Sequence, residues 1–99
     1  MNITKELNAN AMNIALAGRL DTVTAPALAA EVSAEALNGI TALTLDFGEL
    51  DYISSAGLRV LLAAQKVMNK QGSMVIKNVN HTIMEVFEIT GFVDILTIQ

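Results

Sequence analysis

Apolar and polar positions alternate at the start of the chain, through Ile3, Lys5 and Leu7 and again through Met12, Ile14 and Leu16, with Asn8-Ala9-Asn10 between the two runs. A period of two in short runs split by turn-forming residues predicts a β-hairpin with one buried face. Gly18 is expected to break the second strand. The period then changes. Thr24 reads as a helix N-cap, Pro26 is tolerated in the first turn, and Leu28, Val32 and Ala36 recur at helical spacing until Asn38-Gly39 stops the helix. Leu43, Leu45 and Phe47 predict a third strand, followed by a loop over Gly48-Glu49-Leu50-Asp51. Ser54-Ser55 opens a second helix that runs to the region of Lys70 and stops at Gly72. Met74-Val75-Ile76 predicts another strand. Asn80 caps a third helix with Ile83, Val86 and Phe87 on one face, and Gly91 ends it. Val93, Ile95, Leu96 and Ile98 predict a short final strand.

The order β-β-α-β-α-β-α-β predicts a single α/β domain over residues 1–99, a mostly parallel sheet with an N-terminal antiparallel hairpin and helices packed on it. No repeat, linker or charge block divides it. At 53% hydrophobic residues the 99-residue chain has enough apolar surface for one core, which excludes disorder.

Composition also narrows the function. Six Lys and Arg stand against ten Asp and Glu, a net charge of -4, without the dense basic patch that a phosphate backbone requires. This argues against nucleic-acid binding. The absence of cysteine removes disulfides, thiolate chemistry and Cys-based metal sites. The first residues lack a signal-peptide layout, and no apolar run approaches the roughly 18 residues of a membrane span. The expectation is a cytoplasmic protein with no direct membrane insertion.

Candidate chemistry concentrates at the joint between the third strand and the second helix, Asp51-Tyr52-Ile53-Ser54-Ser55-Ala56-Gly57-Leu58-Arg59. A helix N-terminus has unpaired N–H groups and a positive dipole end. A serine there is either a plain cap or a place where phosphate is added and removed. Gly57 in the first turn costs about 1 kcal/mol of helix propensity relative to alanine, which suggests a close approach of another element or a partner. A serine hydrolase would need Gly-x-Ser-x-Gly and a histidine base. Neither serine has the preceding glycine, and the lone histidine, His81, falls at the start of the third helix. Phosphate-loop signatures are absent. Asp21, Asp46, Glu49 and Asp51 fall near strand ends and read as a solvated polar edge rather than a metal site, since no ligand spacing is evident. The second helix is apolar over a wide arc. Leu58, Leu61, Leu62 and Gln65 make one stripe and Val60, Ala63, Ala64 and Val67 another, leaving a narrow charged line of Arg59, Lys66 and Lys70. Such an arc is either covered by neighbouring elements or docks a partner, with Ala63 and Ala64 permitting close approach.

The element order, the Gly18-Arg19-Leu20-Asp21 corner, the Leu43–Phe47 strand, the serine joint and the closing Ile89-Thr90-Gly91-Phe92 together resemble STAS domains, specifically the bacterial anti-sigma factor antagonists. The resemblance spans the whole chain. It implies a regulatory binding protein, not an enzyme, with no cofactor and no metal. The family motif, Asp-Ser-Ser/Thr-Gly-Leu, carries over by register to Gly57 and Leu58, so that Ser55 is the implied phosphoacceptor and Ser54 the less favoured one. Ser54 stands where the family has aspartate, Ala56 where it has a second hydroxyl, and Arg59 where it often has glycine. Asp21 matches the aspartate beside the phosphorylation site. The resemblance implies partner switching, in which the unphosphorylated protein binds an anti-sigma factor that is also a serine protein kinase and frees the sigma factor. Phosphorylation then breaks the complex and a serine phosphatase restores it. Asp21, Ser54, Ala56, Gly57, Arg59, Ala63 and Ala64 are the expected partner-binding positions. The departures keep open two other roles, a non-phosphorylated STAS subunit of a membrane lipid-transport complex and a ligand-sensing STAS module.

Overall fold

The computed structural model describes residues Met1–Gln99. Strands β1 (Asn2–Asn8) and β2 (Ala11–Leu20) form the expected antiparallel hairpin, turning at Ala9, whose φ is +55°. Helix α1 (Ala25–Glu31) leads to β3 (Ala42–Ile53), helix α2 (Ser55–Asn69) to β4 (Ser73–Lys77), and helix α3 (His81–Thr90) to a short 3-10 turn at Phe92–Asp94. The sheet order is β1-β2-β3-β4, with β2, β3 and β4 parallel. Parallel strands that step one way across a sheet, joined by crossovers of one hand, put their connecting helices on one face. The burial pattern agrees. Met12, Ile14 and Leu16 of β2 and Leu43, Leu45 and Phe47 of β3 are buried, whereas Asn13 and Ala15 of β2 and Ala42 of β3 are exposed and Thr44 and Asp46 half-buried on the opposite face.

The core lies between that face and the helices. Phe47 and Phe87 of α3 meet with ring centroids 6.4 Å apart, and Leu28, Leu61 and Met68 fill the space under α1 and α2. Edge strand β1 carries Lys5, which pairs with Glu31 at the end of α1 at 2.8 Å.

Four boundaries differ from the expectation. Gly18 does not break β2. It adopts φ +100° within a register irregularity, and the strand continues to Leu20. Helix α1 ends at Glu31 rather than at Asn38, because the Ser33 hydroxyl accepts from the Ala36 N–H at 3.1 Å and takes over a helical bond. The Gly48–Asp51 stretch is strand, not loop, since irregular pairing with β2 carries β3 on through Leu50, buried at 1% exposure, to Ile53. The final strand is reduced to one bridge between Ile98 and Ile76, and the residues before it form the 3-10 turn.

Candidate functional site

The ends of β2 and β3 set the site. Leu20 and Ile53 are register partners, and the Ser54 N–H donates to the Leu20 carbonyl at 2.9 Å. Asp21 and Ser54 therefore leave the sheet side by side. Ser54 is the N-cap of α2, in extended conformation, and its hydroxyl accepts a long 3.4 Å bond from the Gly57 N–H. Ser55 is the first helical residue and is exposed. The capping role thus falls to Ser54, which leaves Ser55 on the surface at the positive end of a 15-residue helix.

Gly57 is where α2 crosses the strand ends. A Cβ placed on it would lie 2.8 Å from Ile53 Cγ1 and 2.8 Å from Leu20 Cγ, both in buried side chains. The close approach suggested by its helix-propensity cost is an internal one, and Gly57 itself is buried. Gly57→Ala is expected to lose about 1–3 kcal/mol through overpacking, which outweighs the roughly 1 kcal/mol gain in helix propensity. Urea denaturation checks it, and an unchanged midpoint would contradict the packing argument.

Asp21 is a fixed carboxylate. Its Oδ1 accepts from the Val23 N–H at 3.0 Å and the Thr24 N–H at 3.1 Å, while the Thr24 hydroxyl lies 3.2 Å away. The Thr24 N–H foremost, then the Thr24 hydroxyl, the Val23 N–H and the Arg19 charge, holds the carboxyl below its ordinary value against an opposing desolvation. A carboxyl depressed in the folded state adds stability above its unfolded value of about 3.9, and that contribution is lost as pH falls through the folded value. Carboxyl NMR titration is expected to show Asp21 titrating low, and Thr24→Val to move it part of the way back up. An unmoved titration in Thr24→Val would remove the hydroxyl from the account.

Arg19 and Tyr52 were not singled out by the sequence. They are cross-strand register partners, and the Arg19 guanidinium carbon lies 4.1 Å from the Tyr52 ring centroid, with Nε 3.7 Å from Asp21 Oδ2. Together with exposed Val23 they flank the Asp21 corner. Tyr and Arg are the residue types enriched at interface hot spots, but only the paired register brings these two together.

The remaining candidate positions divide. Ala56 is half-buried, and Arg59 and Ala63 are exposed on α2. Ala64 is a correction: at 0% exposure it belongs to the core with Leu61 and Met68, because α2 turns it about 100° from Ala63 and onto the sheet. It cannot touch a partner in this fold. The acids do not converge. Asp46 accepts from Asn78 Nδ2 and the Gly48 N–H, both at 2.9 Å, with Asn78 as the main cause of its lowered pKa. No three His, Asp or Glu side chains come together as a metal site would require. His81 pairs with Glu85 on α3 at 2.8 Å. No helix is long and apolar enough to cross a membrane.

A one-sided, mixed four-stranded sheet with a serine at the start of the helix after its third strand defines an STAS-type binding domain. The sequence model described as "Mlab, STAS domain" matches residues 3–97, and the chain belongs to the STAS family. It is 43% identical over 84 residues to BtrV of Bordetella bronchiseptica, which bears a provisional designation as an anti-sigma factor antagonist. That match covers 84% of this chain and 72% of BtrV. It is 30% identical over 100 residues to the anti-sigma-B factor antagonist of Bacillus subtilis, covering 100% of this chain and 91% of the relative. Its fold matches the anti-sigma factor antagonist SpoIIAA with a TM-score of 0.77 in both the unphosphorylated and the phosphorylated form. Identity is 19% and 21%, over 99% of this chain and 87% and 91% of the two SpoIIAA chains.

Proposed function

We propose that the protein is an anti-sigma factor antagonist switched by phosphorylation at Ser55. The observation that carries this reading is the division of labour between the two serines. Ser54 closes the helix, and Ser55 stands exposed one residue beyond the point where Ser54 and Asp21 leave the sheet side by side. The relatives named anti-sigma factor antagonists support the role, and the existence of SpoIIAA in a phosphorylated form supports the switch. In the unphosphorylated state the Ser55 end of α2, with Ala56, Arg59 and the Asp21 corner, binds an anti-sigma factor that is also a serine kinase, and the sigma factor is released. A serine phosphatase reverses the modification.

The test is direct. The cognate kinase and ATP are expected to add one phosphate, located on Ser55 by peptide mass spectrometry and abolished by Ser55→Ala. Phosphate on Ser54 alone would move the acceptor by one residue. No phosphate, with a kinase shown to modify another substrate, would leave a non-switching binding subunit.

A further inference from the structure

Helix α2 presents an exposed face of Ser55, Arg59, Ala63, Lys66 and Lys70, and its half-buried flank of Val60 and Val67 faces α1. Between the two helices runs an apolar groove of about 260 Å³. Ala29, Val32 and Ala34 form one side of it and Val60, Ala63 and Val67 the other, with Arg59 also in its lining. The small side chains on both sides leave room for a third helix at the usual 8–10 Å axis separation, an estimate from helix packing in general.

The α2 side of this groove is charged in one sense. At about 100° per residue, Arg59, Lys66 and Lys70 all fall within roughly 60° of Ala63 around α2. They are three of the six Lys and Arg residues in a chain of net charge -4. None is in an ion pair, since the pairs of this fold are Lys5–Glu31, Arg19–Asp21 and His81–Glu85. Glu31, the acid at the end of α1, is turned away to Lys5 on β1. A concentrated, unneutralised positive rim on an acidic protein selects a negative partner.

We propose that the α1–α2 groove docks an acidic amphipathic helix of a partner protein. Its apolar side chains at i, i+3 or i+4, and i+7 would sit against Val32, Val60 and Val67, and carboxylates on its flank would pair with Arg59, Lys66 and Lys70. Arg59 to Lys70 spans about 16 Å at 1.5 Å per residue, so a segment of about three turns covers the groove and its rim. The surface needs no phosphate; a phosphate on Ser55 would draw on Arg59 and leave Lys66 and Lys70 to the partner.

The probe is a synthetic helix-stabilised peptide of about four turns, with leucines at helical spacing and glutamates on both flanks, and a twin with lysines in place of the glutamates. The acidic peptide is expected to bind saturably to the whole chain, with amide shifts confined to Ala29, Ala34, Ala63 and their neighbours. Its lysine twin should bind at least about tenfold more weakly, and added salt should narrow the difference. The R59E/K66E/K70E variant, altered only at exposed positions, is expected to stay cooperatively folded, melting somewhat below the parent because two glutamates replace lysines at the C-terminal end of α2, and to invert the preference. Equal binding of the two peptides, an uninverted preference in a folded variant, or shifts centred on Ile89 and Ile95 would overturn the proposal. So would self-association of the free chain abolished by A63R, which would give the groove to a second copy.

Discussion

Ala64→Arg is expected to abolish cooperative folding, whereas Ala63→Arg, one residue earlier, is expected to unfold at close to the parent's midpoint. Ala64 is at 0% exposure among Leu61, Met68 and the sheet, and Ala63 lies on the open side of α2. An arginine at 64 adds several heavy atoms to filled space, costing about 1–3 kcal/mol, and carries a charge that it cannot shed. Burying an unpaired ion costs several kcal/mol even after relaxation. From the middle of the buried arc, a guanidinium has no short path to water. The sum approaches the whole stability of a domain of this size, about 5–15 kcal/mol. The same side chain at 63 stays within about ±0.5 kcal/mol, as surface substitutions do. Chemical denaturation of both variants, followed by circular dichroism, separates them. A cooperative, parent-like transition in Ala64→Arg would mean that α2 does not lie on the sheet as described.

This contrast marks where the sequence stops being legible. The start of α2 and both ends of α3 were readable because their chemistry is local, whereas Thr24 makes no side-chain cap for α1 and Asn38-Gly39 lies beyond its end. Ser54 accepts from Gly57, Asn80 accepts from Ile83, and Gly91 takes a left-handed φ of +80°, each within a few residues of the boundary it sets. The hairpin was readable from its alternation. The rotation of α2 was not, because the charged line of Arg59, Lys66 and Lys70 is narrow and apolar residues lie on both sides of it. Gln65 shows the same ambiguity: it is polar yet 6% exposed, and it bonds sideways to Asn69 at 2.8 Å. The errors in strand length have a tertiary cause as well. Gly48-Glu49-Leu50-Asp51 has turn composition, and only pairing with the irregular end of β2 keeps it extended. At the C-terminus, Val93 to Ile98 is apolar enough for a strand, but the Phe92 carbonyl captures the Ile95 and Leu96 N–H groups before any ladder forms. The serine joint was legible as a motif, and so was the aspartate near it. The Arg19–Tyr52 stack was not, since it depends on a pairing of residues 33 positions apart, 52 − 19.

Phosphate on Ser55 is expected to weaken binding to the cognate anti-sigma factor about a thousandfold, a loss of about 4 kcal/mol, without unfolding the free protein. The free protein tolerates the modification well. A phosphoserine adds about -1.5 to -2 charge, which the start of α2 favours by about 0.3–1 kcal/mol when exposed. Arg59, one turn further along the same exposed face and without an ion pair, adds an i,i+4 attraction. The proposed complex is expected not to tolerate it. In the proposed complex the dianion is desolvated against the partner, near the corner where Asp21, like any free carboxylate ionised at neutral pH, leaves the sheet next to Ser54. Stabilising the free form and penalising the bound form act in the same direction, so neither has to supply the whole loss. Ser55→Asp, with one charge and fewer acceptor oxygens, is expected to weaken binding less, and Ser55→Ala to bind like the unmodified parent. Titration calorimetry on stoichiometrically phosphorylated protein, with thermal melts of the free chain alongside, measures both halves. Unchanged affinity with the phosphate confirmed on Ser55 would make the serine a bystander and the protein a constitutive binding subunit.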